Sequence, residues 1–247
     1  MGQFDESALI LELIGQQPAG VMVDVGAHFG STLKPYLQRG WRVIAAEPDS
    51  SKWEKLTALG AGQKFSQNFS LHRDAIGEHD QSSAEFYTSR ESTGIASLIP
   101  FRESHERSAS VRVKSLRSIL REESVSQVDF LKVDTEGMDY AVLKGFPFEK
   151  MQPKIILTEF DELKTTGRGH DFRSLGDLLV SLNYTVFLSE WFPIVRYGGN
   201  HQWRSIRRYP CSLSDPKAWG NFIAVREDQI DIASRLNDRA RELAKAA

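Results

Sequence analysis

Two short runs constrain what this chain can fold into more than any other feature. Val21-Met-Val-Asp-Val25 breaks into Gly26-Ala-His-Phe-Gly30, and Phe130-Leu-Lys-Val133 breaks into Asp134-Thr-Glu-Gly137. Runs of four or five mostly apolar residues bounded by turn signals mark strands covered on both faces, the pattern of a parallel sheet. Arg42–Ala46, Ile155–Leu157, Thr185–Leu188 and Phe222–Val225 repeat the pattern, with helical segments between them. Alternation of this kind over 247 residues predicts an α/β, doubly wound sheet in a single domain spanning residues 1–247.

The helices carry their own punctuation. Ala8–Ile14 reads as a short amphipathic helix within residues 1–18, packed on the first strand. Ser51-Lys-Trp-Glu54 has the form of a capping box, with Gly60 at the helix end. Phe172, Leu175, Leu178, Leu179 and Leu182 mark one apolar face before Asn183, and Ile232, Leu236, Ala240 and Leu243 mark another within residues 228–247. That last helix is expected to dock on its own domain, with a homodimer contact as the alternative. Residues 78–110, polar with a strand-like piece at Ala84–Tyr87, and residues 190–220, rich in aromatics and arginine, read as insertions placed near a substrate.

Composition removes several function classes. Charged residues make up 26% of the chain, yet the net charge is only −2, so bulk attraction to nucleic acid or an anionic membrane is not expected. No run approaches the roughly 20 apolar residues of a membrane span, and residues 8–14 lack the basic flank of a secretion signal. One cysteine, Cys211, permits no internal disulfide and no zinc cluster. A soluble, cytoplasmic protein is the expectation.

The chemistry concentrates at the strand ends. Gly26 lets the backbone turn sharply and approach a ligand, and Gly30 opens the next helix with free N–H groups. The spacing D-x-G-x-x-x-G, with Ala27 and His28 in place of a second glycine, is not the dinucleotide fingerprint and suits a ligand without a diphosphate. About 20 residues on, the second strand ends in Glu47-Pro48, where an acid accepts hydrogen bonds from both ribose hydroxyls of a nucleoside and Pro48 holds it at the strand tip. His28 either touches the ligand, serves as a base or fills the turn. His170 is a second candidate base, with helix capping or exposure as its alternatives.

Asp24-Val-Gly-Ala-His-Phe-Gly30, Glu47-Pro48, Arg73-Asp-Ala-Ile-Gly77, Asp129-Phe-Leu-Lys-Val-Asp-Thr-Glu-Gly-Met-Asp139 and Lys154-Ile-Ile-Leu-Thr-Glu-Phe160 together resemble the FkbM-type S-adenosylmethionine-dependent methyltransferases over residues 20–160. The resemblance implies a class I methyltransferase (Rossmann-like) fold: a mainly parallel seven-stranded sheet with an antiparallel last strand. It implies that Asp24, Gly26 and Gly30 frame the methionine part of S-adenosyl-L-methionine, that Glu47 holds its ribose, and that Asp74, before Ala75, meets the adenine. Asp139 stands where the family more often has Glu.

Ligands bind at the carboxyl ends of parallel strands, so Lys132, Asp134, Glu136 and Glu159 are expected to form the acceptor-side polar cluster. Asp134 or Glu136 would orient or deprotonate the acceptor, with Lys132 offsetting their charge. The alternative for Lys132 and Asp134 is a structural ion pair, and a divalent cation on the acids is not expected. The expected activity is O-methylation of a hydroxyl on a carbohydrate, glycan or secondary metabolite. A nicotinamide-dependent oxidoreductase on a related sheet and a non-catalytic nucleoside-binding module are the rivals.

Overall fold

The computed structural model describes residues 4–15, 18–61 and 67–246. In chain order they begin with α1 (Glu6–Ile14), β1 (Val21–Val25), α2 (Lys34–Gln38), β2 (Arg42–Ala46), α3 (Ser50–Ala61) and β3 (Phe69–His72). Next come β4 (Ala75–Gly77), β5 (Gln81–Ser89), β6 (His105–Ser115), α4 (Leu116–Glu122), β7 (Phe130–Val133) and α5 (Asp139–Lys144). The chain continues through β8 (Ile155–Asp161), α6 (Glu162–Thr165), α7 (Phe172–Ser181), β9 (Tyr184–Trp191), β10 (Trp203–Arg208), β11 (Trp219–Arg226) and α8 (Ile230–Ala246). They cluster into two compact units, Pro18–Pro153 and a second formed by residues of Met1–Gln17 with Lys154–Ala247.

In the unit Pro18–Pro153, β7, β1, β2 and β3 lie side by side and all parallel, with Asp24 opposite Lys132 on one side and Ala45 on the other. Met22, Val23, Val25, Val43, Ile44, Phe130, Leu131 and Val133 are all buried, as strands covered on both faces require. Asp129 ties the first residues of β1 and β7 together: the Val21 N–H donates to its carboxylate at 2.8 Å, and its own N–H donates to the Val21 carbonyl at 2.9 Å. Helix α3 is capped by Asp49, whose carboxylate accepts from the Ser51 N–H at 2.9 Å, so the expected capping box at Ser51 lies inside the helix instead. An Asx side chain two residues earlier outcompetes it because Ser51 already has helical neighbours on both sides.

The polar stretch 78–110 is more than an insertion. It supplies β5 and much of β6, which join β4 in a separate three-stranded sheet ordered β4-β6-β5. Phe86, Val111, Val113 and Ala75 close a small core beneath it, while the outward positions carry Ser, Glu and Arg.

In the other unit, β11 runs antiparallel to both of its neighbours, β8 and β9, making it the reversed last strand of the expected fold. The 190–220 region contributes β10, an extra strand antiparallel to β9. Helix α1 is anchored by Glu6, whose buried carboxylate accepts hydrogen bonds from Ser189 and Trp191 on β9 and Asn221 on β11. Helix α8 buries Ile232, Leu236 and Ala240 and packs on β10 and α1. The Asp171–Ser174 capping box starts α7, which buries Phe172, Leu175 and Leu179.

Asp129 opens the most distinctive motif of the sequence, yet its bonds are to scaffold. Asp129→Ala is expected to cost roughly 1.5–3 kcal/mol, the worth of a hydrogen bond to a charged group, in urea unfolding, while ligand affinity of the folded protein stays unchanged.

Candidate active site

Residues 24–136 lie within the unit Pro18–Pro153. Beyond β1 the chain turns through Gly26 at φ +79°, and its N–H and that of Ala27 both donate to the Ala46 carbonyl on β2, at 3.0 and 3.2 Å. A Cβ at position 26 would sit 1.8 Å from the Asp134 carbonyl oxygen. Glycine is therefore required here by close approach of the β7 end, rather than by a ligand. Gly30, at φ +78°, presses on α3, where a Cβ would meet Leu59 Cδ1 at 2.4 Å. Its N–H is already spent on the Ala27 carbonyl at 2.8 Å, and α2 begins only at Lys34. The expected free N–H groups at Gly30 are thus not present, because the loop closes on itself before the helix starts.

His28 adopts φ +50°, a left-handed conformation that costs a non-glycine residue about 1–2 kcal/mol. The conformation aims its backbone N–H at Glu47 Oε2, 2.8 Å away. The other oxygen, Oε1, accepts from the Asp49 N–H at 2.9 Å. The Glu47 carbonyl in turn receives the Trp53 indole N–H at 2.8 Å. A carboxylate offers about four lone-pair sites, so each Glu47 oxygen keeps one available. Lys52, itself almost completely buried, forms an ion pair with Asp49 and so braces the turn from behind. Burial raises the Glu47 carboxyl above the usual glutamate range, opposed by the Asp49 N–H, Lys52 and the His28 N–H. Burial and then the Lys52 charge depress the His28 imidazole, whose Nε2 lies 3.2 Å from Thr93 Oγ1.

Across β1 and β7, Asp24 and Lys132 face each other in register, with Nζ 3.3 Å from Asp24 Oδ1 and 3.4 Å from Asp134 Oδ2. Asp24 has 0% exposure, and among the described residues neither of its oxygens accepts a hydrogen bond. Burial pulls the Lys132 ammonium down, but Asp24 and Asp134 outweigh it and hold its pKa above that of an ordinary lysine. Lys132 thus joins two acids of different exposure, one sealed and one open to solvent.

Glu136 is the second non-glycine residue of the site in a left-handed conformation, at φ +57°, followed by Gly137 at φ +101°. The turn is secured from two sides. Ser97 Oγ donates to the Glu136 carbonyl at 2.8 Å. Asp139 Oδ2 accepts from Thr135 Oγ1 at 3.2 Å and the Gly137 N–H at 3.3 Å. Asp139 is therefore a turn cap, and Ser97, from the region between β5 and β6, is a support that no local sequence signal marks. Pro48 follows Glu47 at the lip of the turn. Asp74 and Ala75 are buried, and the Asp74 carboxylate is held by Arg112 Nε at 2.6 Å and Lys114 Nζ at 3.6 Å.

Glu159 and His170 belong to the other unit. Glu159, on β8, pairs with the buried Lys164 at 2.7 Å. His170 has its imidazole depressed by burial and by Arg168, and the cap of α7 is Asp171 rather than His170. Of the arginines in 190–220, Arg204 and Arg207 are committed to the fully buried Glu190.

Removing one member of a buried ion pair leaves an uncompensated charge, at a cost of about 3–5 kcal/mol. Lys132→Met is accordingly expected to lower unfolding stability by that order at neutral pH. The double variant Asp24→Asn/Lys132→Met should regain most of the loss, as measured by urea unfolding of the four members of the cycle.

A family model described as the methyltransferase FkbM domain matches residues 24–186. Among solved structures, the chain is similar to an FkbM methyltransferase from Methylobacillus flagellatus KT, at 17% identity and a TM-score of 0.55, over 90% of this chain and 48% of that one. The chain thus spans about half the length of that relative. It also aligns with precorrin-6Y C5,15-methyltransferase from Geobacter metallireducens GS-15 (11% identity, 89% and 87% of the two chains, TM-score 0.46). A further alignment is with TomG, an O-methyltransferase from Streptomyces achromogenes involved in tomaymycin synthesis and solved with SAM (12%, 90% and 79%, 0.47). No curated protein matched the chain. Among the described residues, no helix is long and apolar enough to cross a membrane. The α/β fold, with its parallel strands and reversed last strand, is the class I methyltransferase fold, and the chain belongs to the FkbM methyltransferase domain family.

Proposed function

We propose that this chain binds S-adenosyl-L-methionine at the ends of β1 and β2 and methylates a hydroxyl group of a carbohydrate, glycan or secondary metabolite. The observation that carries the reading is the clamp on Glu47. Its two oxygens are fixed by N–H groups from two separate segments, the 26–30 loop and the 47–53 turn, and each keeps a lone pair for a ribose hydroxyl. Asp24, sealed from solvent, would act on the cofactor side only through Lys132, which it holds at the ends of β1 and β7. Gly26, Ala27, His28 and Gly30 would shape the loop around the methionine part. Pro48, Asp74 and Ala75 would line the adenine side, with Asp74 acting through its backbone, since its carboxylate is held by Arg112 and Lys114.

When bound, S-adenosylmethionine supplies an electrophilic methyl carbon. The residues of the chain must align the acceptor oxygen and take its proton. Asp134 and Glu136 are suited to that task because both stand at the carboxyl end of β7, and neither is the sole partner of Lys132. Glu136 is the stronger choice for the base. A strained left-handed backbone persists where surrounding contacts over-determine it, and such strain clusters at functional sites. Lys132 would hold the Asp134 carboxylate in place, while Glu159, in the other unit, is engaged by Lys164.

Calorimetric titration with S-adenosylmethionine and with S-adenosylhomocysteine tests the cofactor reading. Both should bind, and Glu47→Ala should weaken both strongly; absence of binding by the folded protein would sink the proposal. An ionised carboxylate accepts from two ribose hydroxyls more strongly than its protonated form does, and burial raises the Glu47 pKa. Affinity should therefore fall on acidification, starting at a higher pH than a solvated glutamate would dictate, and Glu47→Gln should flatten that dependence.

Glu136→Gln should reduce turnover by about 10²–10⁴-fold, the usual contribution of a general base, while cofactor affinity holds. Unchanged turnover would remove Glu136 from the chemistry.

A further inference from the structure

A cavity of about 520 Å³ opens beside the Glu47 turn, wholly within the unit Pro18–Pro153. Its size falls in the range of small-molecule sites. One wall is the start of α3 with Trp53 and Arg73, and the other is the inner side of β5 and β6 with the segment around Ser92–Ala96. Of the residues assigned to the cofactor only Pro48 lines it, so the cavity adjoins the cofactor position at that one residue and is otherwise built by others.

Three observations say what it would take. The first is charge. Two charged side chains other than Arg73 line the cavity, and each is matched: Asp49 by Lys52 and Arg112 by Asp74. Among the described residues Arg73 has no ion-pair partner. Its guanidinium is held 4.8 Å over the Trp53 ring, and Trp53 is itself fixed by its hydrogen bond to the Glu47 carbonyl. An unmatched, exposed and pre-oriented guanidinium is the usual anchor for a carboxylate or phosphate.

The second is the lining, which is rich in hydroxyls. Ser50 and Thr88 line the cavity and make no side-chain hydrogen bond to another described residue, and Ser51 beside them is engaged with Asp49. Ser50 and Thr88 can each both donate and accept, which matches the hydroxyls of a polyol.

The third is position. The wall segment that contains Thr93 and leads to Ser97 touches both halves of the candidate active site: Thr93 meets the His28 imidazole, and Ser97 donates to the Glu136 carbonyl. An occupant of the cavity would therefore lie against the segment that holds the acid turn. Arg204 and Arg207 of the 190–220 region are less suitable as anion anchors, since both are already paired with Glu190.

We propose that this cavity is the acceptor-recognition subsite and that it takes an anionic polyol, a sugar bearing a carboxylate or a phosphate, with Arg73 as the anion anchor. The inference rests on the methyltransferase reading for the meaning of "acceptor", and it extends that reading to a substrate class.

The test is titration of the full chain, saturated with S-adenosylhomocysteine, with D-glucuronate, D-glucose 6-phosphate and D-glucose, followed by calorimetry and by fluorescence of wild type and Trp53→Phe. At least one of the two anionic sugars should bind saturably, at least tenfold more tightly than glucose, and should change the fluorescence contributed by Trp53. The tighter of the two identifies the acidic group. Arg73→Gln, at an exposed position that leaves the core intact, should weaken the anionic sugar at least tenfold with no change in S-adenosylhomocysteine affinity. No binding of either anion, equal binding of glucose, or indifference to Arg73→Gln would overturn the proposal. A parallel loss of S-adenosylhomocysteine affinity in Arg73→Gln would also overturn it, because the cavity would then belong to the cofactor. Should S-adenosylhomocysteine fail to bind wild type, the cofactor reading fails on its own, and the same titrations without it still decide whether the cavity takes anionic sugars.

Discussion

Lys132 places a positive charge inside a parallel sheet, where every neighbouring residue on β1 and β7 is apolar except the acid directly opposite it. An isolated ammonium there would lose its proton or force the strand out of the sheet. It keeps its charge because Asp24 meets it from within and Asp134 from the strand end, at nearly equal distances. The arrangement links the two strand ends that carry the candidate chemistry. The close approach at Gly26 makes the same link a second time in backbone terms, since the Asp134 carbonyl lies where a side chain at 26 would be. A shift of β7 relative to β1 would therefore break a buried ion pair and create a steric clash at once. The position of Asp134 and Glu136 relative to the 26–30 loop follows from these two contacts.

A second layer of constraint comes from the three-stranded sheet. It looks peripheral, yet its connecting segment reaches the His28 imidazole through Thr93 and the Glu136 carbonyl through Ser97. Two of the strained residues in this unit, His28 and Glu136, are thus held by neighbouring residues of one segment more than 35 positions from Glu136 in sequence. Strain of about 1–2 kcal/mol at each persists only where several contacts agree on it. The backbone bond from His28 to Glu47 and the Asp139 cap on the 135–137 turn supply the others.

What the sequence revealed and what it concealed divide along physical lines. Strands β1, β2 and β7 were legible to the residue, because a strand buried on both faces must be apolar throughout and is bounded by turn residues. Of β5 only the Ala84–Tyr87 piece was legible, and β6 and β10 were hidden, since one face is wet and carries Ser, Glu and Arg, the composition of a loop. Site residues were legible by type and spacing, whereas the reasons for them were not. Gly26 and Gly30 answer to Asp134 and Leu59, contacts more than a hundred and about thirty positions away that no local pattern records. The Asp49 cap was masked by a better-looking serine two residues on, and Ser97 and Thr93 carry no signal until the fold brings them to the turn and the loop.

The motif from Asp129 to Asp139 shows why a signature should be divided by role before it is read as chemistry. Asp129 joins strand starts, Lys132 neutralises Asp24, and Asp139 caps the turn. Gly137 provides a backbone conformation that other residues resist. Each of these groups is occupied by the scaffold, and each would be retained by selection for folding alone. Asp134 and Glu136 differ in kind. Asp134 is partly open to solvent, and Glu136 sits in a conformation that a structural turn would ordinarily assign to glycine or asparagine. A glutamate stands where glycine would cost less, and the surrounding bonds from Ser97 and Asp139 are what hold it there.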